Sequence, residues 1–335
     1  MCNFVVVMKA TVIHTMVLLC TMLCTAGTSW CREDAVIVAF WNLENFFDFT
    51  DTGYSSSDTD FSPEGERHWT KSRFWKKCHG VAKTVLWMSD RYGRMPDVMG
   101  VAEVENRGVL QAVLNGTLLK KHDYVQIHED SPDTRGIDVA LIYRKSVWKC
   151  LEARTVRISS DMDGRPLRTR DILYVCLEDR EGETYHFLVN HHPSKYGGAK
   201  ESETKRAAVM NAMVSVCDSL VKAGEGNIIS MGDFNDTPDG EAFSLTGKSL
   251  VNMSLPLSGK GRGTIRYAGK WELIDMFLTS GDIADVSVMD ICFPDFLGTT
   301  DRAHSGLKPL RTYTGPRYTG GISDHLPIVL SVSRH

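Results

Sequence analysis

Apolar and polar positions alternate along this chain in short runs whose lengths and spacing are more typical of strands than of helices. Strand-like runs occur at residues 35–41, 97–104, 124–128, 137–143, 147–158, 172–177, 185–190, 227–231, 273–279 and 327–332. Helical spacing occurs over residues 70–90 and 107–119, and in a third segment that carries Met210, Met213 and Cys217 and stops at Gly224. Consecutive strands with helices between others predict sheets covered by helices in one mixed layered domain.

The N-terminal segment has a different pattern from the rest. Lys9 precedes an apolar run from Val12 to Ala26, and small residues follow it. This order is typical of a secretory signal peptide, and the run is short for a membrane span, which needs about 20 residues. We therefore expect residues 1–27 to be a signal peptide, residues 28–335 to be a single domain, and the protein to be exported to a periplasm or the extracellular space without a stable membrane anchor. An uncleaved anchor or a buried helix is the alternative.

The composition excludes some classes of protein but does not identify a binding partner. The chain has 38 Lys and Arg against 42 Asp and Glu, a formal charge of -4, so no basic field directs the whole protein to nucleic acid. Removing residues 1–27 takes away Lys9 and leaves -5. The six cysteines beyond residue 27 form no close pair, which argues against a zinc ribbon. They permit disulfides, but Cys78 and Cys217 fit equally well as small buried hydrophobic residues.

Polar side chains collect at the ends of five predicted strands. These clusters are Trp41-Asn42-Leu43-Glu44-Asn45, Ala102-Glu103-Val104-Glu105-Asn106, Asn190-His191-His192-Pro193-Ser194-Lys195, Gly232-Asp233-Phe234-Asn235-Asp236 and Ser323-Asp324-His325-Leu326-Pro327. Each alone also fits an ordinary strand end, turn or surface pair. Five such clusters in one domain favour a shared site.

The residue types in these clusters suit phosphate chemistry. Oxygen ligands from Glu103 and Asn42 suit a hard cation such as Mg²⁺. Asp324 next to His325 can fix one imidazole tautomer, and Asp233 can accept a proton from water. The sequence has no Gly-x-Ser-x-Gly elbow and no Gly-x-x-x-x-Gly-Lys loop, which argues against a serine hydrolase and a P-loop enzyme.

The five clusters, in this order, resemble the endonuclease/exonuclease/phosphatase superfamily, which includes the pancreatic-type deoxyribonucleases, over roughly residues 35–333. The Gly-Asp-Phe-Asn and Ser-Asp-His-Leu-Pro signatures carry most of the resemblance. It implies an α/β four-layer sandwich, in which two packed mixed β-sheets are flanked by helices. It also implies hydrolysis of phosphoester bonds with Mg²⁺ or Mn²⁺.

The resemblance also implies roles for single residues. Glu103 matches the metal-binding glutamate and Asn42 the asparagine beside it. His191 matches the first catalytic histidine, with His192 as its rival. The resemblance assigns the water-orienting aspartate to Asp233, the phosphate-binding asparagine to Asn235, the terminal pair to Asp324 and His325, and support of the first histidine to Asp275. Whether Asp233 or His325 is the base stays open.

Further residues are expected to hold the substrate phosphate. Arg135 resembles the phosphate-facing arginine of the superfamily, although it also fits a turn before a strand. His192, Ser194 and Lys195 are candidates for a second phosphate contact. Residues 295–322 mix Arg and Lys with Tyr313 and Tyr318, a composition that fits either single-stranded nucleic acid, a phosphorylated ring or a plain loop.

The sequence therefore predicts an exported, metal-dependent phosphodiester hydrolase, most simply a nuclease. A phosphomonoesterase or a phospholipid or inositol-phosphate head-group hydrolase of the same superfamily is the enzymatic alternative. The alternative of a different class is a binding protein that kept the fold and lost the chemistry. The sequence does not indicate an oligomeric state.

Overall fold

The computed structural model describes residues 35–159, 167–194, 199–247 and 249–334. The predicted signal peptide, its boundary at residue 27, Cys31 and Lys195 lie outside these residues. The strands are β1 (Ala35–Phe46), β2 (Val98–Val104), β3 (Tyr124–His128), β4 (Asp138–Arg144), β5 (Lys149–Val156), β6 (Ile172–Glu178), β7 (Thr184–His191), β8 (Ile228–Asp233), β9 (Leu250–Asn252), β10 (Ile265–Tyr267), β11 (Lys270–Glu272), β12 (Asp275–Ser280), β13 (Ser287–Ile291), β14 (Gly298–Thr300), β15 (Leu307–Pro309), β16 (Tyr313–Thr314), β17 (Arg317–Tyr318) and β18 (Ile328–Ser333). The helices are α1 (Ser56–Asp60), α2 (Lys71–Tyr92), α3 (Arg107–Gly116), α4 (Ala199–Lys222) and α5 (Gly281–Ala284).

Two six-stranded mixed sheets form the centre of the fold. The first has the order β13-β18-β1-β2-β4-β3 and the second the order β5-β6-β7-β8-β12-β9. Strands β1 and β2 run parallel in the middle of the first sheet, and β7 and β8 run parallel in the middle of the second. Because these four strands are covered on both faces, their sequences are near-continuous apolar runs.

The sheets pack face to face, with β2 and β4 against β6, β7 and β8. Gly100 of β2 marks the close approach, since a Cβ atom there would lie 2.9 Å from the Met231 sulfur of β8. Helix α4 covers the second sheet through Met210, Met213 and Cys217, and helices α2 and α3 pack against the first sheet. The predicted four-layer α/β sandwich is confirmed.

The long helices begin and end where the sequence provides caps. Thr70 accepts a hydrogen bond from the Arg73 backbone N–H at the start of α2, and Gly93 ends it with a left-handed φ of 73°. Asn106 caps α3 by accepting from the Val109 N–H at 3.0 Å. The two helices precede and follow β2 in the chain, the strand that carries Glu103.

The structure differs from the sequence prediction mainly at short edges and loops. Strands β9 and β13 were not predicted, because they are short edge strands that lack an apolar run. Strand β1 extends to Phe46, beyond the predicted end at Trp41. The segment at 295–322, for which a plain loop was one of the interpretations, holds the hairpins β14–β15 and β16–β17.

The described residues contain neither a helix that could span a membrane nor a disulfide bond. No helix in the described part of the chain has the length and apolar composition that a membrane span requires. Cys78, Cys150, Cys176, Cys217 and Cys292 are free thiols, so no disulfide joins described residues. Cys78 and Cys217 are buried, which agrees with their interpretation as small buried hydrophobic residues.

Candidate active site

The two pairs of parallel strands bring the predicted clusters to one place. Asn42 lies in the second half of β1 and Glu103 just before the end of β2, and His191 and Asp233 are the last residues of β7 and β8. In the second sheet His191 and Asp233 are register partners. Parallel neighbours end at the same edge of a sheet, and this edge is where α/β proteins bind ligands.

The backbone at this edge is strained. Glu44, Asn45, Glu103 and Asn235 have left-handed φ values of 46°, 47°, 59° and 50°. The register of β1 with β2 shifts between Asn42 and Phe46. Left-handed backbone is unfavourable for a residue such as glutamate and concentrates at functional sites. The bulged strand ends therefore re-aim Glu44 and Glu103 away from the regular pleat.

Glu103 is a buried carboxylate surrounded by donors. Its Oε2 atom accepts from the Asn45 backbone N–H at 2.7 Å, and Arg135 Nη1 and Nη2 lie 3.5 and 3.4 Å from its two oxygens. Arg135 Nη2 also donates to the Asn45 side-chain oxygen. Burial alone raises the pKa of Glu103, but Arg135, His191 and Arg170 outweigh burial and hold that pKa well below its usual range. Glu103 is therefore an anion, as a cation ligand must be.

Asp233 lies at the centre of the cluster. Asn42 Nδ2 donates to its Oδ2 at 3.0 Å, and the Asn235 backbone N–H donates to its Oδ1 at 2.9 Å. His191 Nε2 and His325 Nε2 lie 3.7 and 3.8 Å from the same Oδ2. Burial raises the pKa of Asp233 to about 7, although His325 acts against it. A carboxylate with this pKa suits proton transfer near neutral pH.

His325 is held by Asp275. The Nδ1 atom of His325 lies 2.8 Å from Oδ2 of Asp275, which is fully buried in β12. Burial disfavours the imidazolium, but Asp275 and Asp233 outweigh burial and raise the pKa of His325 well above its usual range. This bond fixes the ring so that Nε2 points to Asp233.

Two predicted aspartate roles are therefore corrected. Asp324 does not hold His325: its carboxylate pairs with Arg311 Nη2 at 2.9 Å and is one-third exposed. Asp275 contacts the last histidine, not the first. The physical reason lies in the backbone, because Trp41 Nε1 donates to the His325 carbonyl at 2.9 Å and Ser323 donates to the Asn42 carbonyl at 2.7 Å. This anchoring turns the His325 ring inward and leaves Asp324 at the rim.

The two adjacent histidines have different surroundings. His191 Nε2 lies 3.8 Å from Glu103 Oε1 and 3.7 Å from Asp233 Oδ2. His192 is 1% exposed and its ring packs against Phe234 at 4.8 Å between centroids. Because neighbouring strand residues face opposite sides, only His191 joins the cluster. The prediction that His192 contacts a substrate phosphate conflicts with its burial in the core.

The surroundings of His191 and His192 both favour the neutral imidazole. Burial, with Arg170 as the next largest cause, holds the pKa of His191 well below its usual range. Burial, with a smaller contribution from Arg206, lowers the pKa of His192 to about 3. The cluster thus contains one histidine that favours the cation, His325, and one that favours the neutral ring, His191.

The two asparagines bond mainly within the protein. Asn42 donates to Asp233 and its Oδ1 accepts from the Glu44 backbone N–H at 2.9 Å. This geometry favours a role in orienting Asp233 over the predicted metal contact. Asn235 Nδ2 donates to the His192 carbonyl at 3.0 Å, which fixes the turn after β8.

Two further predicted phosphate contacts, Arg135 and Ser194, lie within the described residues. Arg135 is 38% exposed on its side chain and reaches Glu103, so it faces the site. Ser194 follows β7 and is exposed.

Three charged residues at the site were not predicted from the sequence: Glu44, Lys77 and Arg170. Glu44 is buried and bonded to Arg311 and to the Thr312 N–H. Lys77 is buried and donates to the Glu44 carbonyl. Arg170, 6% exposed, pairs with Asp133 at 3.2 Å and helps to lower the pKa of His191. Glu44 belongs to one of the five polar clusters, and Arg170 lies just before the strand predicted at 172–177. Their positions near strand ends could therefore have indicated both residues.

The donor set fits a divalent cation. The distances from Arg135 to Glu103 exceed those of close charge-assisted hydrogen bonds, about 2.7–2.9 Å, so the carboxylate oxygens keep acceptor capacity. Carboxylate oxygens are the ligands that Mg²⁺ and Mn²⁺ prefer. One ligand atom each of Asp233, Asp275 and His325 also lies within 4.8 Å of the other two. The buried Asp and His groups are thus consistent with metal binding.

Comparisons with solved structures find proteins of similar fold. The human Nocturnin catalytic domain with bound sulfate shares 18% identity and a TM-score of 0.54, covering 89% of this chain and 94% of that chain. An endonuclease/exonuclease/phosphatase family protein from Bacteroides thetaiotaomicron shares 16% identity and a TM-score of 0.56, with 90% and 98% covered. A mannosyl-6-phosphatase from the same organism shares 16% identity and a TM-score of 0.53, with 89% and 100% covered.

These structural likenesses show the fold. No curated protein sequence matches the chain. The model of the Endonuclease/Exonuclease/phosphatase family matches residues 37–334, which include every residue of the cluster. The chain therefore belongs to the endonuclease/exonuclease/phosphatase family of phosphoester hydrolases.

Proposed function

We propose that this protein hydrolyses the phosphate ester of a small molecule by direct attack of water, with Mg²⁺ or Mn²⁺ bound at Glu103. The convergence of Glu103, His191, Asp233 and the Asp275–His325 pair on one cleft carries the proposal. The completeness of this cluster argues against a binding protein that has lost the chemistry. Residues 1–27 remain, in this proposal, a signal for export.

Each of these side chains has a separate role in the proposed reaction. Glu103 would hold the divalent cation, which when bound would supply positive charge to offset the phosphate oxygens. Asp233, with a pKa near 7, orients the water and accepts its proton. His325, kept cationic by Asp275, donates from Nε2 to a phosphoryl oxygen. Arg135 adds a guanidinium at the open side of the cleft.

In the basic segment at 295–322, which by composition fits nucleic acid among other ligands, several side chains are occupied by contacts within the protein. Tyr313 is 5% exposed and packs with Trp69 and Tyr318, so it offers no stacking surface for a base. Arg311 is occupied by Glu44 and Asp324, and Lys308 lies 3.4 Å from Asp301. We therefore favour the small-phosphoester alternative over the nuclease.

One assay separates these substrates. The purified protein is incubated with Mg²⁺ or Mn²⁺ and either plasmid DNA, RNA, bis-p-nitrophenyl phosphate, p-nitrophenyl phosphate or a panel of sugar, inositol and lipid phosphates. We expect metal-dependent turnover of small esters that is lost in His325→Ala and His191→Ala and on addition of EDTA. Turnover that survives these changes contradicts the site, and turnover of DNA or RNA alone restores the nuclease.

A further inference from the structure

A polar cleft of about 320 Å³ opens beside the candidate active site, in a place that the proposed reaction leaves unused. Its polar lining comes mainly from Glu44, Asn45, Ser57, Asp60, Arg67 and Arg311. Asn45 belongs to both places, because its backbone N–H donates to Glu103 and its side-chain oxygen accepts from Arg135. A group bound in this cleft is therefore adjacent to a phosphate held at Glu103 and Arg135.

The far wall of the cleft is fixed relative to the active site. Ser57 and Asp60 lie on helix α1, whose N-cap residue Ser55 donates to the Arg135 carbonyl at 2.9 Å. Arg67 Nη1 donates to the Gly315 carbonyl at 2.6 Å, which joins the wall to the segment before β17. The cleft is thus built from elements bonded to the site itself.

The charges of the cleft do not favour a second phosphate. Arg67 and Arg311 are balanced by Glu44 and Asp60 among the lining residues. Arg311 is already bonded to two carboxylates, at 3.3 Å to Glu44 and 2.9 Å to Asp324. An anion placed here gains little from these guanidinium groups and is repelled by the carboxylates. The occupant that fits is uncharged.

The polar atoms of the cleft include both donors and acceptors. Arg67 Nε is buried without a hydrogen-bond partner among the described residues, and Ser57 and Asp60 add a hydroxyl and a carboxylate to the same lining. Hydroxyl groups are the ligands that both donate and accept. Phe61 and Tyr313 also line the cleft but are 9% and 5% exposed, so their faces are not available for stacking with a base.

We propose that this cleft binds the alcohol part of the substrate, and that this part is a neutral polyhydroxylated group such as a sugar or a cyclic polyol. The inference rests on the proposed phosphoester hydrolysis. Water oxygen bonds to phosphorus and gives its proton to Asp233. The bond from phosphorus to the alcohol oxygen breaks, and that oxygen leaves with the electron pair and takes a proton from solvent. The products are the free polyol and inorganic phosphate.

The test compares polyol phosphates with an aryl phosphate, and it reads the change in their ratio between the wild type and each variant, so that the different intrinsic reactivities of the esters cancel. Kinetics are measured for hexose 6-phosphates and inositol monophosphate, and for p-nitrophenyl phosphate, whose leaving group has no hydroxyls to fill the cleft. We expect Asp60→Asn and Ser57→Ala each to lower the ratio of kcat/KM for polyol ester to kcat/KM for aryl ester by about tenfold, the equivalent of one hydrogen bond. The loss is expected mainly in KM.

Asp130→Asn, which changes an exposed carboxylate outside the cleft, is the matched control and should leave the ratio as in the wild type. An equal loss on both esters in Asp60→Asn and Ser57→Ala, or no loss on either, overturns the assignment of the cleft. Loss confined to plasmid cleavage overturns it too. If the wild type hydrolyses neither ester with Mg²⁺ or Mn²⁺, the proposed function itself fails. Ser57→Ala carries the comparison alone if Asp60→Asn does not fold.

Discussion

The Nδ1 atom of His325 and the Oδ2 atom of Asp275 are 2.8 Å apart, although fifty residues separate them along the chain. Asp275 opens strand β12, next to β8 in the second sheet, and His325 precedes β18 in the first. The bond therefore links the two sheets directly at the candidate active site. Asp324, the neighbour of His325, bonds instead to Arg311 at the rim.

Asp275→Asn is expected to lower kcat by about 10²- to 10⁴-fold, the range for loss of a positioned acid–base group. The amide cannot stabilise the imidazolium and removes the charge that raises the pKa of His325. The measurement is kcat at saturating metal together with its pH profile. Asp324→Asn is the matched control, and a larger loss of kcat in Asp324→Asn than in Asp275→Asn contradicts the pairing.

Removal of the metal is expected to abolish turnover, and Glu103→Gln is expected to weaken cation binding. The amide keeps the shape of the side chain but loses the charge that a divalent ion needs. Calorimetric titration with Mn²⁺ should show affinity lowered by about tenfold or more, the scale seen for disturbed metal sites. Glu105→Gln, two residues further along, is the control. Equal Mn²⁺ affinity in the wild type and Glu103→Gln counts against this ligand.

His192 is expected to make the fold sensitive to acid. Its pKa is lowered to about 3 by burial, so the unfolded chain takes up a proton near pH 6.5 while the folded chain does not. The contribution of His192 to the free energy of unfolding is therefore fully present above about pH 6.5, and it is lost progressively as the pH drops toward 3. Between pH 7.5 and pH 5 this residue alone should cost about 2 kcal/mol.

His192→Asn should remove that part of the pH dependence in urea unfolding measured at the two pH values. His68→Asn, which changes an exposed histidine, is the control and should show the wild-type dependence. If the free energy of unfolding of His192→Asn falls between the two pH values as much as that of the wild type, other groups cause the acid sensitivity.

Lys77→Met is expected to lower the free energy of unfolding by about 2–4 kcal/mol, because a buried carbonyl and hydroxyl lose their donor. Lys77 is 2% exposed, and its Nζ donates to the Glu44 carbonyl and, at 3.0 Å, to Thr312 Oγ1. Urea unfolding measures the change. Lys83→Met, an exposed lysine of the same helix, should cost about 1 kcal/mol or less. Equal losses in the two variants exclude a special role for Lys77.

Much of the fold could be predicted because the central strands are buried on both faces. Strands such as β1 and β8 are near-continuous apolar runs, and α2 carries its cap and stop residues in the sequence. Edge strands such as β13 pack on one side only and carry polar residues such as Asp290. Their sequences therefore contain no apolar run long enough to mark a strand.

The members of the site could be predicted better than their partners. Each of Glu103, His191 and Asp233 ends an apolar strand, which is a local signal. The bond between Asp275 and His325 depends on how two sheets pack, and sequence proximity pointed wrongly to Asp324. Lys77 was hidden for a similar reason, because a lysine on a helix is usually solvated and its buried partners come from distant segments.

The return of the chain to the first sheet at β18 has a consequence for synthesis. Glu103 and Asp233 are made early, but His325 and the strand that anchors it beside β1 are made after every other part of the cluster. A nascent polypeptide accordingly cannot assemble its full catalytic apparatus on the ribosome until residues 323–333 have been translated. Fragments that stop short of this point should be inert even where both sheets have begun to form.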